Sequence, residues 1–241
     1  VKRLTRINLW SGPRNISTAI MYSFAQRNDA LVIDEPLYAH YLRTTGAQHP
    51  GRDEVLQSQE NDGIKVIKWM MSDEFEKPVV FFKQMTHHLT VLSLDFLSQC
   101  KNILLIRDPK DVLISYSKVI DHPSLTDIGI KQSCELFTFL QLKKYHCVVV
   151  DSNELLRNPE AILALLCNAL EIDFQPTMLH WRAGAKKEDG VWAKFWYKNV
   201  HQSTGFAPVE REEKKLPDHL TKVYEEAKPF YDFLYERSMK I

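Results

Sequence analysis

The chain has 241 residues, 44% of them hydrophobic and 26% charged, the balance of a packed domain and not of a disordered tail. Lys+Arg and Asp+Glu both number 31, so the formal net charge is zero, which argues against a general nucleic-acid binder with its basic excess. No apolar run approaches the ~18 residues of a membrane helix. The start, Val1-Lys2-Arg3-Leu4-Thr5-Arg6, lacks the apolar core of a signal peptide. Four cysteines, at 100, 134, 147 and 167, include no CxxC pair, and Cys134, Cys147 and Cys167 sit in apolar-periodic segments. Reduced, buried thiols in a cytoplasmic protein are expected, with no disulfide framework, no metal site, no membrane partner and no nucleic-acid partner.

In chain order, Ile7-Asn8-Leu9-Trp10 reads as a strand, Ser11-Gly12-Pro13-Arg14 as a turn, and a helical pattern follows to about Arg27. Further strands are expected at 31–33, 79–82, 102–106 and 147–150. Most are continuous apolar runs, as in strands buried on both faces of a parallel sheet. The polar stretch 44–63 reads as a surface insertion, mobile over a site. Val112, Leu113, Tyr116, Val119 and Ile120 form one helical stripe after Lys110, and Asn158-Pro159-Glu160 opens another helix. From Pro217 to the end a helical arm is expected, kinked or broken at Pro229. Glu210 to Lys215 reads as a solvated charged face. The expected class is α/β: a mainly parallel central sheet flanked by helices in three layers, one domain over 1–241.

Two strand-to-helix loops carry anion-binding chemistry. In Ser11-Gly12-Pro13-Arg14-Asn15-Ile16-Ser17-Thr18, a helix N-terminus, a fixed cation and two hydroxyls suit a phosphate or sulfate beyond a strand's carboxyl end. The Walker pattern fails there, because Ser17 stands at its second glycine and no lysine follows. The plainer alternative is an ordinary turn with Arg14 exposed. In Arg107-Asp108-Pro109-Lys110-Asp111-Val112-Leu113-Ile114-Ser115, Arg107 leaves a strand and Ser115 follows eight residues later. The alternative pairs Arg107 with Asp108 or Asp111.

Together these loops resemble the sulfotransferase family, which takes 3′-phosphoadenosine-5′-phosphosulfate as donor. Arg107 to Ser115 is similar to that family's 3′-phosphate motif, and Ser11 to Thr18 to its 5′-phosphosulfate loop, with Arg14 at the lysine position and Asn15-Ile16 in place of Ser-Gly. Asp151 to Glu160 is similar to its strand-to-helix segment, with Asp151 replacing the usual aromatic residue. Arg182 and Gly184 resemble its Arg-Lys-Gly loop, and Gly190-Val191-Trp192 the Gly-Asp-Trp after it. The resemblance implies a P-loop-type fold and sulfuryl transfer, without a metal, to a hydroxyl or amine of a small-molecule acceptor. It implies donor contacts from Ser11, Gly12, Pro13, Arg14, Asn15, Ser17, Thr18, Arg107, Ser115, Arg182, Gly184 and Trp192. An inactive nucleotide- or partner-binding relative, or a P-loop kinase, are the alternatives.

Such a transfer needs a cation at the leaving oxygen and a base for the acceptor. Arg14 is the candidate cation, and its guanidinium acts by charge because it does not release a proton at neutral pH. Glu35, in Ile33-Asp34-Glu35-Pro36, is the favoured base because it follows the strand next in the chain after the one feeding the Arg14 loop. His87 and His88, in Lys83-Gln84-Met85-Thr86-His87-His88, are the competing candidates and are similar to the family's Lys-Thr-His segment. Acceptor walls are expected from Tyr38 to Tyr41, the 44–63 stretch and the C-terminal arm.

Overall fold

A computed structural model describes residues 4–118, 120, 122–207 and 215–241. The apolar runs become β1 (Thr5–Ser11), β2 (Ala30–Asp34), β3 (Val79–Met85), β4 (Lys101–Ile106) and β5 (Cys147–Asp151). They form one five-stranded sheet in the order β2-β3-β1-β4-β5, with every pairing parallel. Successive side chains of a strand point to opposite faces. Ile7, Leu9, Phe81, Ile103 and Leu105 accordingly pack on one face with Ile20 and Phe24 of α1 (Ser17–Ala25). Leu163 and Leu166 of a later helix join that layer. Trp10, Val80, Phe82, Leu104 and Val149 face the other side, where Leu113, Leu140, Tyr231 and Leu234 cover them. The result is helix, sheet, helix, and β3 is buried along its whole length.

The intervening helices are α2 (Tyr38–Thr45), α3 (Arg52–Ser58), α4 (Gly63–Met70), α5 (Pro109–Tyr116), α6 (Leu125–Ile128), α7 (Ile130–Leu142), α8 (Ser152–Arg157) and α9 (Pro159–Ala169). After them come α10 (Ala193–Trp196) and α11 (Thr221–Tyr235). Asp108 caps α5 by accepting from the Lys110 amide at 2.8 Å, and Asn158 caps α9 from Ala161 at 3.3 Å, each with proline in the first turn. Asp151 caps α8 and accepts from the Tyr231 hydroxyl at 3.0 Å, a structural role.

Several expectations change. The 44–63 stretch is a wall with a helix of its own, since α3 buries Val55 against α2 and the chain around Trp192. Pro229 lies inside α11, which runs on to Tyr235 without a break. Cys100 and Cys167 are buried, but Cys134 and Cys147 are only half-buried; all four are free thiols. Val119 and residues 210–214 of the charged run lie outside the described residues. No helix among the described residues is long and apolar enough to cross a membrane.

Candidate functional site

The chain leaves β1 toward one side of the sheet, where β2 lies beyond β3, and leaves β4 toward the other, where β5 lies. Such a reversal opens a crevice between the carboxyl ends of two adjacent strands, where ligands of open α/β sheets bind. A cleft of about 550 Å³ occupies that position, lined by residues 12–19 after β1, Glu35 and Tyr38 after β2, Lys83, Met85, His87 and His88, and Arg107 to Lys118. The Arg14 and Arg107 loops meet across it. Arg14 Nε donates to Ser115 Oγ at 3.0 Å, and Arg107 donates from its terminal nitrogen to the Arg14 carbonyl at 2.9 Å. Arg107 Nε stands 3.9 Å from Asp111, beyond hydrogen-bond length, and is buried with no hydrogen-bond partner. Arg14 takes a left-handed backbone (φ 56°), which aims its guanidinium across the crevice. Burial, then the neighbouring Arg107, draws its pKa below the ordinary value. No side chain caps α1, and Ser17, Thr18 and Ala19 of its first turn line the cleft. Gly12 closes the loop's far side, where an added Cβ would come within 2.2 Å of the Ile128 carbonyl.

At the β2 end, a buried ion cluster forms the floor. Asp34 and Lys83 are register partners on β2 and β3, and Lys83 Nζ reaches Asp34 Oδ1 at 3.0 Å, the Tyr197 hydroxyl at 2.9 Å and the Glu35 carboxylate. Tyr197 donates to Asp34 Oδ2 at 2.8 Å and accepts from Trp192 Nε1 at 3.2 Å. Burial alone would lower the Lys83 pKa, but Asp34, Glu35 and Tyr197 reverse this and hold it well above the usual lysine range. Burial raises Glu35, partly offset by Lys83 and reinforced by Asp34. Glu35 also adopts positive φ (40°), a second non-glycine residue of the cleft held in that region.

A 3₁₀ turn, Thr86–Leu89, follows β3 and carries both histidines. His88 is only 1% exposed and lies between the rings of Tyr38 and Tyr41, at 5.0 and 4.9 Å between centroids. Its Nε2 is 4.0 Å from Glu35 Oε2, and its Nδ1 has no hydrogen-bond partner. Burial first, then His87 and Lys83, holds its pKa well below the ordinary value. Burial likewise brings half-buried His87 down to about 4.

Both depressed histidines enter the pH dependence of folding. The unfolded chain protonates them near the ordinary value while the folded chain does not. Their contribution is therefore complete at pH 7 and is lost as pH falls from about 6.5, through about 4 for His87 and through the depressed value of His88. Urea midpoints measured at pH 7 and pH 5 should drop less for a His87→Asn/His88→Asn double variant than for the parent; an equal drop would refute this origin.

Of the candidates from sequence, Gly12, Pro13, Arg14, Asn15, Ser17, Thr18, Glu35, His87, His88, Arg107, Ser115 and Trp192 line the cleft together. Three do not. Ser11 is fully buried beneath the loop against Met85. Arg182 and Gly184 fold away, because Trp181 bonds the Thr204 carbonyl and His180 bridges Gly205. This sends 182–189 over Tyr22 of α1, where Asp189 ties the turn to the Tyr22 hydroxyl at 2.6 Å, and leaves Arg182 exposed. Gly205, Phe206 and Ala207 reach the cleft in their place. The C-terminal arm contributes no lining residue; α11 packs on the opposite layer. Sequence reasoning missed the contact of Asp34 with Tyr197, and His49, which lines the same cleft. The ready signal was Asp34-Glu35 at one strand end and Lys83 at another, and it needed the strand order to be read. That order also removes the positional reason for favouring Glu35: β3, with its histidines, is the strand adjacent to β1, and β2 lies one strand farther out.

Among solved structures, the chain is similar to the sulfotransferase domain from the Synechococcus PCC 7002 olefin synthase (TM-score 0.54, 18% identity, 94% of this chain and 95% of that one). It is also similar to the sulfotransferase domain from the curacin biosynthetic pathway (TM-score 0.53, 15% identity, 94% and 98%). These likenesses concern the fold. In sequence it is 41% identical over 229 residues to branched-chain-amino-acid aminotransferase-like protein 1 of Arabidopsis thaliana, covering 95% of this chain and 41% of that protein. Aminotransferase-like protein 2 of the same plant is 40% identical over 230 residues with the same coverage. The chain thus spans about two-fifths of the length of these curated relatives. Residues 5–238 match the sulfotransferase domain family, whose expected α/β architecture and crevice are those described above, and the chain belongs to that family.

Proposed function

We propose that the cleft binds 3′-phosphoadenosine-5′-phosphosulfate and that the protein transfers its sulfuryl group to a hydroxyl or amine of a small-molecule acceptor. The observation that carries this reading is the meeting of Arg14, Arg107 and Ser115 from two loops at the reversal of strand order. The residues fit a nucleotide with two separate anionic groups: a helix start without a side-chain cap, two guanidiniums and a buried Arg107 Nε without an acceptor all call for anionic oxygens. Arg14, Ser17 and Thr18 would hold the phosphosulfate, and Arg107 with Ser115 the 3′-phosphate. The donor supplies the sulfuryl group and a phosphate leaving group. As the acceptor oxygen or nitrogen bonds to sulfur, the bond from sulfur to the phosphate oxygen breaks and Arg14 offsets the charge gathering there.

The acceptor proton passes to the imidazole of His88, a wall residue of the cleft whose Nδ1 has no hydrogen-bond partner. Its ring is neutral at pH 7, and Glu35 Oε2 stands on the Nε2 side to counter the imidazolium. Glu35 is better suited to this supporting part than to proton abstraction, because Lys83 already engages its carboxylate. Half-buried His87 borders the same space.

Calorimetry with adenosine 3′,5′-bisphosphate tests the donor site. The protein should bind it in preference to ATP with Mg²⁺. Arg107→Ala should weaken binding by roughly 10–150-fold, the ~1.5–3 kcal/mol of a charge-assisted contact, while Arg43→Ala on the exposed side of α2 should not. Equal affinities for the two arginine variants, or a preference for ATP, would count against the assignment. Turnover of sulfur-labelled donor with pooled phenols, alcohols and amines tests the transfer.

A further inference from the structure

A second cavity of about 510 Å³ adjoins the donor cleft and shares His49, His87 and Tyr116 with it. Its walls are Tyr41 of α2, Leu92 and Leu94 after the histidine turn, and Leu136 of α7. The two spaces differ in charge. The donor cleft is lined by Arg14, Lys83, Arg107 and Lys118 against Glu35 and Asp111. Among the described residues the second cavity has no lysine or arginine in its lining and two carboxylates, Asp127 and Glu135. Burial draws both of its histidines below their ordinary pKa, so they add no cation at pH 7.

The hydrogen-bonding character agrees with the charge. Asp127 uses Oδ2 to accept from the Ser124 amide at 2.8 Å and hydroxyl at 2.7 Å, and no bond occupies Oδ1. Gln132 donates to the Thr126 carbonyl at 3.2 Å, which leaves its Oε1 buried without a donor. Lys131 approaches Glu135 to 3.9 Å but is not part of the lining. Asp127 Oδ1 and Gln132 Oε1 are thus acceptors left over, beside the rings and hydroxyls of Tyr41 and Tyr116. Asp127 acts on both tyrosines and on His49 and His87, so its field reaches the shared boundary. An ammonium is the group that satisfies such a set: it supplies donors only, pairs with carboxylates and is attracted to aromatic faces.

We infer that this cavity selects acceptors bearing a cationic amine, with the ammonium among Asp127, Gln132 and Glu135 and a separate hydroxyl directed past His87 toward the donor. The inference rests on the donor-site reading above. Acceptors with a carboxylate are rejected, since that group would face the carboxylates of Asp127 and Glu135.

The test titrates three phenols that differ in one tail into the protein saturated with adenosine 3′,5′-bisphosphate: tyramine, neutral 4-ethylphenol and anionic 3-(4-hydroxyphenyl)propionate. Tyramine should bind at least about 10-fold more tightly than 4-ethylphenol, one charge-assisted contact's worth, and the propionate should bind least. Glu135→Gln and Asp127→Asn should each shrink that ratio. Asp127 also caps α6, whereas Glu135 lies on an exposed helix face, so Glu135→Gln keeps the test valid if the other variant folds poorly. A ratio near one in the parent, a ratio unmoved by Glu135→Gln, or no binding of any phenol to the nucleotide-bound protein would overturn the inference and leave the donor site standing. Failure of the bisphosphate itself to bind would overturn both.

Discussion

Replacing His88 by asparagine should lower sulfuryl transfer by about 10²–10⁴-fold while the affinity for adenosine 3′,5′-bisphosphate stays within a factor of two or so. The asparagine amide occupies much of the imidazole's place between Tyr38 and Tyr41 but has no basic nitrogen. Arg14, Arg107 and Ser115, which would hold the nucleotide, lie on other loops. Glu35→Gln should cost less and shift the pH–rate profile, because it withdraws the charge beside Nε2 and leaves the accepting nitrogen in place. Single-turnover rates with labelled donor separate the two. A dead Glu35→Gln with an active His88→Asn would return the base to the carboxylate. Undiminished rates in both would mean an acceptor that needs no base, such as an amine already neutral.

Lys83→Met should destabilise the fold by about 3–5 kcal/mol, the cost of stranding buried partners of an ion pair. Methionine keeps the length and apolar stem of lysine, so the loss is chiefly electrostatic. Asp34 and Glu35 would face each other in a buried site, with the Tyr197 hydroxyl and the Gly190 amide still donating to Asp34 but no cation beside either carboxylate. Adding Glu35→Gln to Lys83→Met should recover part of the loss, since one stranded charge is then gone. Urea unfolding at pH 7 measures both, and a loss below about 1 kcal/mol for the single variant would contradict the cluster's role.

The fold was legible where local pattern suffices. Val79 to Phe82 and Ile103 to Ile106 are apolar without alternation because both faces of those strands are covered, and both runs are strands. Arg14, Arg107 and Ser115 were legible because loop chemistry at strand ends is a short-range signal. Strand order was not, since pairing of β3 between β1 and β2 is a long-range choice that no window of sequence encodes. The Lys83–Asp34 contact follows from that register and was hidden with it. Arg182 and Gly184 lie away from the cleft for a related reason. A three-residue match carries no record of the chain's path, and the bond from Trp181 to Thr204 turns the segment aside. Pro229 misled because its ring was weighed without the packing of Ala227, Tyr231 and Leu234 that holds α11 together.

The close approach of Gly12 to the backbone before α7 has a consequence for redesign. Gly129 also faces it, with an added Cβ there only 3.3 Å from the Gly12 Cα. Backbone rests on backbone, so the donor loop and the segment bearing Asp127 behave as one mechanical part with no side chain to cushion a shift. Inserting or deleting residues in 117–128 to reshape the second cavity should therefore also weaken adenosine 3′,5′-bisphosphate binding at the proposed donor site. Tyr41 and Leu92 reach the same cavity from α2 and from beyond the histidine turn. Exchanges at those two positions would reshape it while the glycine contact stays as it is, which makes them the first sites for a library.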